Sequence, residues 1–159
     1  MRGVRERRGG VRREDGLATV EFAIGALVVL VLMLVSAEAG RAYYSYSALE
    51  GAVRSGARYL STVALDSASV MDLNDEKLAR TRRLVTGGES EGGGRPVLAG
   101  LRPADVRVSQ SGSGGSAGRY VQVSATFAYR PMIGALVVFG REHDLAFTMR
   151  ATSAMRVLR

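Results

Sequence analysis

The longest apolar run of the chain lies near its amino terminus, where residues Phe22 to Ala37 include no charged side chain. The 21 residues from Leu17 to Ala37 form, at 1.5 Å per residue, a helix of about 30 Å, which is the thickness of a bilayer's hydrocarbon core. This pattern predicts a membrane-spanning helix. It also leaves one acidic residue, Glu21, near the inner interface.

The helical pattern continues beyond the apolar run, because hydrophobic residues recur at spacings of three and four along the next two dozen positions. These residues are Tyr46, Leu49, Val53, Ala57 and Leu60. The first proline of the chain is Pro96, so none interrupts the pattern. We therefore predict one long helix from about Leu17 to about Leu60, half of it in the membrane.

Charged and small residues along this helix suggest how it is stabilised and how it packs. Two acid and arginine pairs stand at helical spacing, Glu38 with Arg41 and Glu50 with Arg54. Four glycines allow two interpretations, since they either permit close helix approach in a bundle or occupy neutral positions. They are Gly25, Gly40, Gly51 and Gly56. The tyrosines Tyr43, Tyr44, Tyr46 and Tyr59 are typical of interfacial and packing residues just outside a bilayer.

A second, shorter helix is predicted from Asp75 to Val85 by signals at both of its ends. Asn74 is the expected N-cap, and acidic residues fill the first turn. Two arginines stand near the end, and Gly87 is the expected stop. The first-turn acids are Asp75 and Glu76, and the arginines are Arg82 and Arg83.

Beyond the glycine-rich loop from Gly87 to Pro96, the hydrophobic period changes from helical to alternating, as in half-buried strands. Three antiparallel strands are the simplest interpretation. The alternating residues are Val106 and Val108; Val121, Val123, Ala125, Phe127 and Tyr129; and Leu145, Phe147, Met149, Ala151, Ser153, Met155 and Val157. The loop from Ser111 to Gly118 separates the first two strands. The apolar segment between Pro131 and Arg141 is too short to span a bilayer, and we expect a buried turn or a partner-facing loop there.

The basic residues locate the chain relative to the membrane. The formal net charge is +7, yet six of the 22 basic residues precede Gly16, where positive charge is retained in the cytoplasm. We therefore expect a basic cytoplasmic leader over residues 1–16, a transmembrane and extended helix over 17–60, and an extracytoplasmic α+β domain over 61–159. This places the protein in the inner membrane as a single-pass protein with its amino terminus inside.

The remaining inventory argues against several function classes. The scattered arginines form no aromatic and basic cluster, so no nucleic-acid partner is expected. The chain has no cysteine and only one histidine, His143, which we place in a solvated charged turn at the start of the third strand. No metal site, cofactor or small-molecule substrate is expected, and the protein is not predicted to be an enzyme. The segment GSGGSA, Gly112 to Ala117, resembles a dinucleotide fingerprint, but a strand follows it where a helix is required.

Gly16 is followed by four residues, then by Glu21 and Phe22, at the head of the apolar helix. This arrangement resembles the processing site of type IV prepilins and pseudopilins, in which a membrane peptidase cuts after the glycine. The match extends along the helix and resembles the TadE-like family of the tight-adherence (Tad) pilus system. The residues that carry it are Glu38, Gly40 and Arg41, and then Arg54, Gly56, Ala57, Arg58 and Tyr59.

The resemblance implies a type IV pilin-like fold and a minor pilin or pseudopilin of a Tad-type (type IVc) pilus, acting in pilus biogenesis and surface adherence. It implies cleavage between Gly16 and Leu17 by a prepilin peptidase, and a role for Glu21 and Phe22 in assembly. The implied partners are that peptidase, other Tad pilins, the pilus assembly machinery and the membrane. Independently of the family, a carboxylate in the first turns of a helix is favoured by the helix dipole and is costly to leave unpaired at membrane depth.

Three other interpretations remain. The first is a signal-anchored envelope protein that presents an outward-facing binding domain and never enters a fibre. In the second, signal peptidase cuts after the small-x-small sequence Ala37-Glu38-Ala39 and releases a soluble protein. The third is an adhesin or a DNA-contacting tip protein, which the mild positive charge permits without favouring.

Overall fold

The computed structural model describes residues 13–65, 70–89, 93–111, 119–132, 135–138 and 141–157. At residues 13–15, 111, 135–138 and 141–144 only the backbone is described. The chain divides into two compact units, Met1–Ala39 and Gly40–Arg159.

The first element is a long helix, α1, which spans Arg13–Val63. It begins four residues before the predicted start and ends three residues after the predicted end. The early start is consistent with the sequence, because Glu14 and Asp15 stand in the first turn, where the helix dipole favours negative charge. The peptide bond between Gly16 and Leu17 therefore lies inside the helix.

The part of α1 in the second unit buries most of the predicted stripe. Leu49, Val53, Ala57 and Leu60 are fully buried. Tyr46, on the same stripe, remains 41% exposed. A tyrosine is large and its hydroxyl group favours water, which makes it a poor fit at the margin of a small core. Smaller residues complete the buried surface instead, namely Ser45, Ala52 and Gly56.

The second helix, α2, spans Asp75–Gly87, two residues longer than predicted. Asn74 is its N-cap, as expected, because its side-chain oxygen accepts a hydrogen bond from the Lys77 backbone N–H at 2.9 Å. The predicted stop at Gly87 was wrong, because the left-handed residue is Gly88, with φ of 77°. The Gly88 N–H donates to the Leu84 carbonyl at 2.9 Å and closes the helix.

The predicted three-stranded antiparallel sheet is present. A 3₁₀ turn, Pro103–Asp105, leads into β1, Val106–Ser111, which is followed by β2, Tyr120–Tyr129. Two short strands come next, β3 at Ala135–Val138 and β4 at Arg141–Asp144, and the chain then enters β5 at Phe147–Arg156. The sheet order is β1-β2-β5, and Ala125 of β2 pairs with Ala151 of β5. This architecture confirms the α+β fold class.

The apolar segment before Arg141 differs from the prediction of a turn or loop. Its residues 135–138 form β3, which pairs with β4 in a separate two-stranded sheet. His143 consequently lies within β4, paired with Leu136, and not in a charged turn at the start of the third strand. That strand begins at Phe147, two residues later than the alternation suggested. The predicted loop residues 112–118, which include the GSGGSA segment, lie outside the described residues.

The core of the second unit is formed where α1, α2 and the inner face of the sheet meet. Its largest fully buried side chains come from all three elements. They are Leu49, Val53 and Leu60 of α1, Thr81 and Val85 of α2, and Val121 and Val123 of β2. Apolar burial of this kind is the main stabilising contribution to a small domain.

Candidate assembly surface

The amino-terminal part of α1 exposes nearly all of its apolar side chains. Leu17 is 72% exposed and Phe22 is 77% exposed, and the most apolar stretch of the helix has no buried residue. By length and composition this is the one helix, among the described residues, that could cross a membrane. A helix with such a surface requires lipid or other helices around it, because large exposed apolar patches are rare on soluble monomers.

The predicted processing and assembly residues lie on consecutive turns of this exposed helix. Gly16, Leu17, Glu21 and Phe22 are all exposed, and nothing lies within 4 Å of the position that a Gly16 side chain would take. Leu17 and Glu21 are four residues apart, so they share one helix face about 6 Å apart along the axis. Side chains on a helix lean towards its amino-terminal end, which directs the Glu21 carboxylate towards Leu17.

In the predicted motif around Gly40, the glycine faces open space, whereas Arg41 makes contacts in the second unit. Nothing lies within 4 Å of the position that a β-carbon on Gly40 would take. The Arg41 guanidinium donates a 2.9 Å hydrogen bond to the Arg130 carbonyl and lies 5.4 Å from the centre of the Tyr129 ring. Arg41 therefore ties the start of this unit's helix to the end of β2. The ion pair expected between Glu38 and Arg41 stays a prediction.

Two arginines of the family resemblance, Arg54 and Arg58, lie on the solvent side of α1. Arg54 forms the predicted ion pair with Glu50 at 2.5 Å, and both side chains are well exposed, so the pair contributes little stability. Arg58 is also exposed, and within the described part of the chain its guanidinium makes no hydrogen bond or ion pair. The two arginines border a shallow surface with Ser55, Tyr59 and Thr62.

Gly56 and Ala57 belong to the opposite side of α1, beneath α2. A β-carbon added to Gly56 would lie 2.5 Å from Cγ2 of Val85 and 3.6 Å from Cγ2 of Thr81. Of the two interpretations left open for the helix glycines, close approach therefore applies to Gly56. Its neighbour is α2 of the same chain. Gly25 and Gly51 have open space instead.

Tyr59 connects α1 to the outer side of α2 through Arg80. The Glu76 carboxylate, 2.8 Å from the Arg80 guanidinium, raises the pKa of Arg80, and a hydrogen bond to Tyr59 adds to that effect. Gly56 thus allows α2 to approach α1 closely, and Ala57 beside it is fully buried. These motif residues position the α+β unit, whereas Arg54 and Arg58 face outward.

Residues 16–58 match the family model TadE, described as TadE-like protein. This segment, 43 of the 159 residues, is similar to TadE-like proteins. This confirms the resemblance seen in the sequence, and with the apolar helix it suggests a membrane-anchored protein associated with the Tad pilus. No curated protein and no solved structure gives a significant match.

The matched segment contains all of the predicted site residues except Tyr59, which directly follows it, and the structure distributes them over two surfaces. The residues from Gly16 to Phe22 lie on the exposed apolar helix, while Arg41, Gly56, Ala57 and Tyr59 make contacts inside the second unit. Among the residues that the structure describes, no group of three His, Asp or Glu side chains could hold a metal ion.

One feature beyond the matched segment was missed in the sequence. Arg102 and Arg130 join Arg41 around a cavity of about 760 Å³ between α1, the 3₁₀ turn and the end of β2. The one signal in the sequence is that Arg102 and Arg130 are each followed by proline. A proline holds the residue before it in an extended conformation. Arg102 is extended, with φ of −113° and ψ of 154°. Nothing in the sequence indicated that they converge with Arg41.

Proposed function

We propose that the protein is a minor pilin or pseudopilin of a Tad-type pilus, a structural and assembly component made as a membrane precursor. A prepilin peptidase would cut between Gly16 and Leu17 and remove the basic leader, residues 1–16. The helix over residues 17–60 would pack laterally against other pilins. Residues 61–159 would face the outer side of the inner membrane, because the arginines of the leader stay in the cytoplasm.

One observation carries this proposal: the processing pattern lies near the start of a helix whose apolar side chains are left uncovered. Leu17 and Phe22 stay more than 70% exposed, at the start of the segment that matches the family model. Such a surface suits a subunit that first lies in lipid and then exchanges lipid for neighbouring helices. The leader's cleavage would make that exchange possible, since six arginines cannot enter an apolar bundle without large cost.

Glu21 is the residue that we expect to organise assembly. After cleavage, Leu17 would carry a positively charged α-amino group one turn before Glu21, on the same helix face. The carboxylate could then pair with its own amine or with that of a neighbouring subunit. In a fibre, pairing with the neighbour is satisfied at one axial offset only and therefore selects the register of the subunits.

The substitutions Glu21→Gln and Glu21→Asp test this role. Both leave the helix intact, and only the second keeps the negative charge. We expect Glu21→Gln to insert into the membrane normally but to co-purify poorly with other pilins, whereas Glu21→Asp retains most of the association. If Glu21→Gln co-purifies as well as the unaltered protein, the charge does not set the register.

The role in the fibre follows from the class of subunit. A minor pilin present in few copies would prime or cap the fibre of the major pilin, with the Tad assembly machinery as its partner. Surface adherence would then depend on the fibre that it helps to build.

A second candidate function, an anchored envelope protein with a binding domain, is favoured by the solvent face of the sheet. The strands β1, β2 and β5 contain no acidic residue, yet they present three exposed arginines, Arg107, Arg150 and Arg156. In the described part of the chain these three make no ion pair. A face of this kind suits an acidic partner. An intact leader, together with loss of partner binding in Arg107→Glu, would favour this function over the pilin.

A further inference from the structure

One end of the second unit, which we call the basal end, brings together four residues: Arg41 of α1, Tyr129 of β2, Arg130 directly after β2, and Phe147 of β5. The Arg41 guanidinium donates to the Arg130 carbonyl at 2.9 Å and lies over the Tyr129 ring. The ring centres of Tyr129 and Phe147 are 5.2 Å apart. These contacts fix the end of β2, the start of β5 and this unit's first helical turn next to one another.

The basal end exposes apolar surface. Phe147 is 49% exposed, and Met132, two residues after Arg130, is 79% exposed. The strand that follows, β3, consists of the apolar sequence ALVV. From Pro131 to Gly140 the chain has no charged residue. Isolated exposed hydrophobic residues are common, but a phenylalanine and a methionine exposed at the same end of the unit suggest a surface that is covered in the cell.

The same end is positively charged. The cavity beside it is bordered by Arg41, Arg102 and Arg130, and by a single acid, Asp105. Asp105 is already engaged, since its carboxylate accepts a hydrogen bond from the Arg102 backbone N–H at 3.0 Å and lies 3.6 Å from the Arg102 Nε. Among the described residues that border this cavity, no other acid is present to neutralise Arg130. Cations next to exposed apolar groups are typical of surfaces that bind the interface of an anionic membrane.

The chain itself tethers this end to a membrane. Arg41 follows Ala37, the last residue of the apolar segment, by four residues. Whatever the angle between the two units, four residues span at most about 14 Å. The headgroup layer on each side of the hydrocarbon core is about 5–8 Å thick. The basal end is thus held at high effective concentration beside phospholipid headgroups. A partner that is free in solution has no such tether to the basal end.

We infer that the basal end docks on the phospholipid leaflet on its own side of the membrane that anchors α1. Arg41 and Arg130 face the lipid phosphates, while Met132 and Phe147 enter the interfacial layer. The docked state holds the α+β unit against the membrane. This inference rests on membrane anchoring and not on pilus assembly, so it would survive if the leader were never cleaved.

The depth of a single label tests the docking. The chain has no cysteine, so Met132→Cys gives one attachment site for a fluorophore in the full-length protein. Gln110→Cys is the matched control, since Gln110 is exposed and pairs with Val121, about 26 Å along β2 from Tyr129. Each protein is placed at one copy per nanodisc of phosphatidylglycerol and phosphatidylcholine. Lipids brominated on their acyl chains then quench only labels that reach the interface.

We expect quenching at position 132 to be several-fold stronger than at position 110. Arg130→Glu should reduce quenching at position 132 several-fold, because its side chain is exposed and the charge change weakens attraction to phosphate. Arg107→Glu, the same charge change on the solvent face of the sheet, should leave it unaltered. Equal quenching at positions 132 and 110 would overturn the inference. So would quenching at position 132 that appears only with several copies in each disc, because the occupant would then be a second subunit.

Discussion

Gly56 of α1 lies against Val85 of α2 so closely that a β-carbon on the glycine would stand 2.5 Å from the valine Cγ2. Val85 is fully buried and branched at its β-carbon, so the methyl group has no alternative position that is free of strain. The absence of a side chain at Gly56 therefore sets the distance between the two helices. It explains in physical terms why a glycine stands in the middle of a helix, where it is otherwise unfavourable.

The first prediction concerns this contact. Gly56→Ala should lower the free energy of unfolding by about 1–3 kcal/mol, the usual cost of overpacking a core. Gly51→Ala is the control, because nothing lies within 4 Å of a side chain there, and it should raise the stability by about 0.5–1 kcal/mol through helix propensity. Thermal unfolding of the full chain in detergent, followed by near-ultraviolet circular dichroism, measures both effects.

Combining Gly56→Ala with Val85→Ala in a double variant distinguishes overpacking from a general intolerance of substitution at Gly56. The valine methyl that causes the clash is absent in the double variant. Its stability loss should therefore be smaller than the sum of the losses in the two single variants. Strictly additive losses would mean that the contact with Val85 does not explain the glycine.

The second prediction concerns the hydrophobic stripe of α1. Leu49→Ala should reduce stability by about 2–5 kcal/mol, because Leu49 is fully buried. Tyr46→Ala should cost markedly less, since that side chain is 41% exposed. Urea unfolding of the two variants in the same detergent gives the comparison. Similar losses for Leu49→Ala and Tyr46→Ala would contradict the difference in burial between the two side chains.

These two cases show how far the sequence predicts the fold. Helical periodicity identified Leu49, Val53, Ala57 and Leu60, because a core-facing residue on a helix recurs at fixed angles whatever it packs against. It could not give the 41% exposure of Tyr46, since periodicity gives a direction but not the extent of the surface that covers a residue. It also left Gly56 undecided, because the closeness of α2 depends on residues about thirty positions later in the chain.

The strands show the same division. Alternation predicted β1, β2 and β5, whereas the pair β3 and β4 was taken for a turn or loop. The run from Pro131 to Gly140 is uniformly apolar and carries no period-two signal. For the candidate site, Gly16 to Phe22 could be recognised from local spacing. The meeting of Arg41 with Arg102 and Arg130 could not be, because it depends on how distant segments fold together.

The third prediction concerns the start of α2. Asn74→Ala removes the side chain that accepts the Lys77 N–H and should cost about 0.5–2 kcal/mol. Asn74→Asp keeps an acceptor at that position and adds a charge that the helix dipole favours, so its stability should stay close to that of the unaltered protein. Chemical unfolding compares them. An equal loss in both variants would show that the cap contributes through something other than this hydrogen bond.

The central claim is that Gly16 and Leu17 flank a peptidase cut that prepares Glu21 for assembly. Mass spectrometry of the intact protein, extracted from membranes of cells that produce the prepilin peptidase, tests it most directly. We expect a new amino terminus at Leu17, and we expect Gly16→Ile to leave the leader attached while Gly25→Ala is processed normally. A protein that retains residues 1–16, or one that begins at Gly40, would contradict the claim.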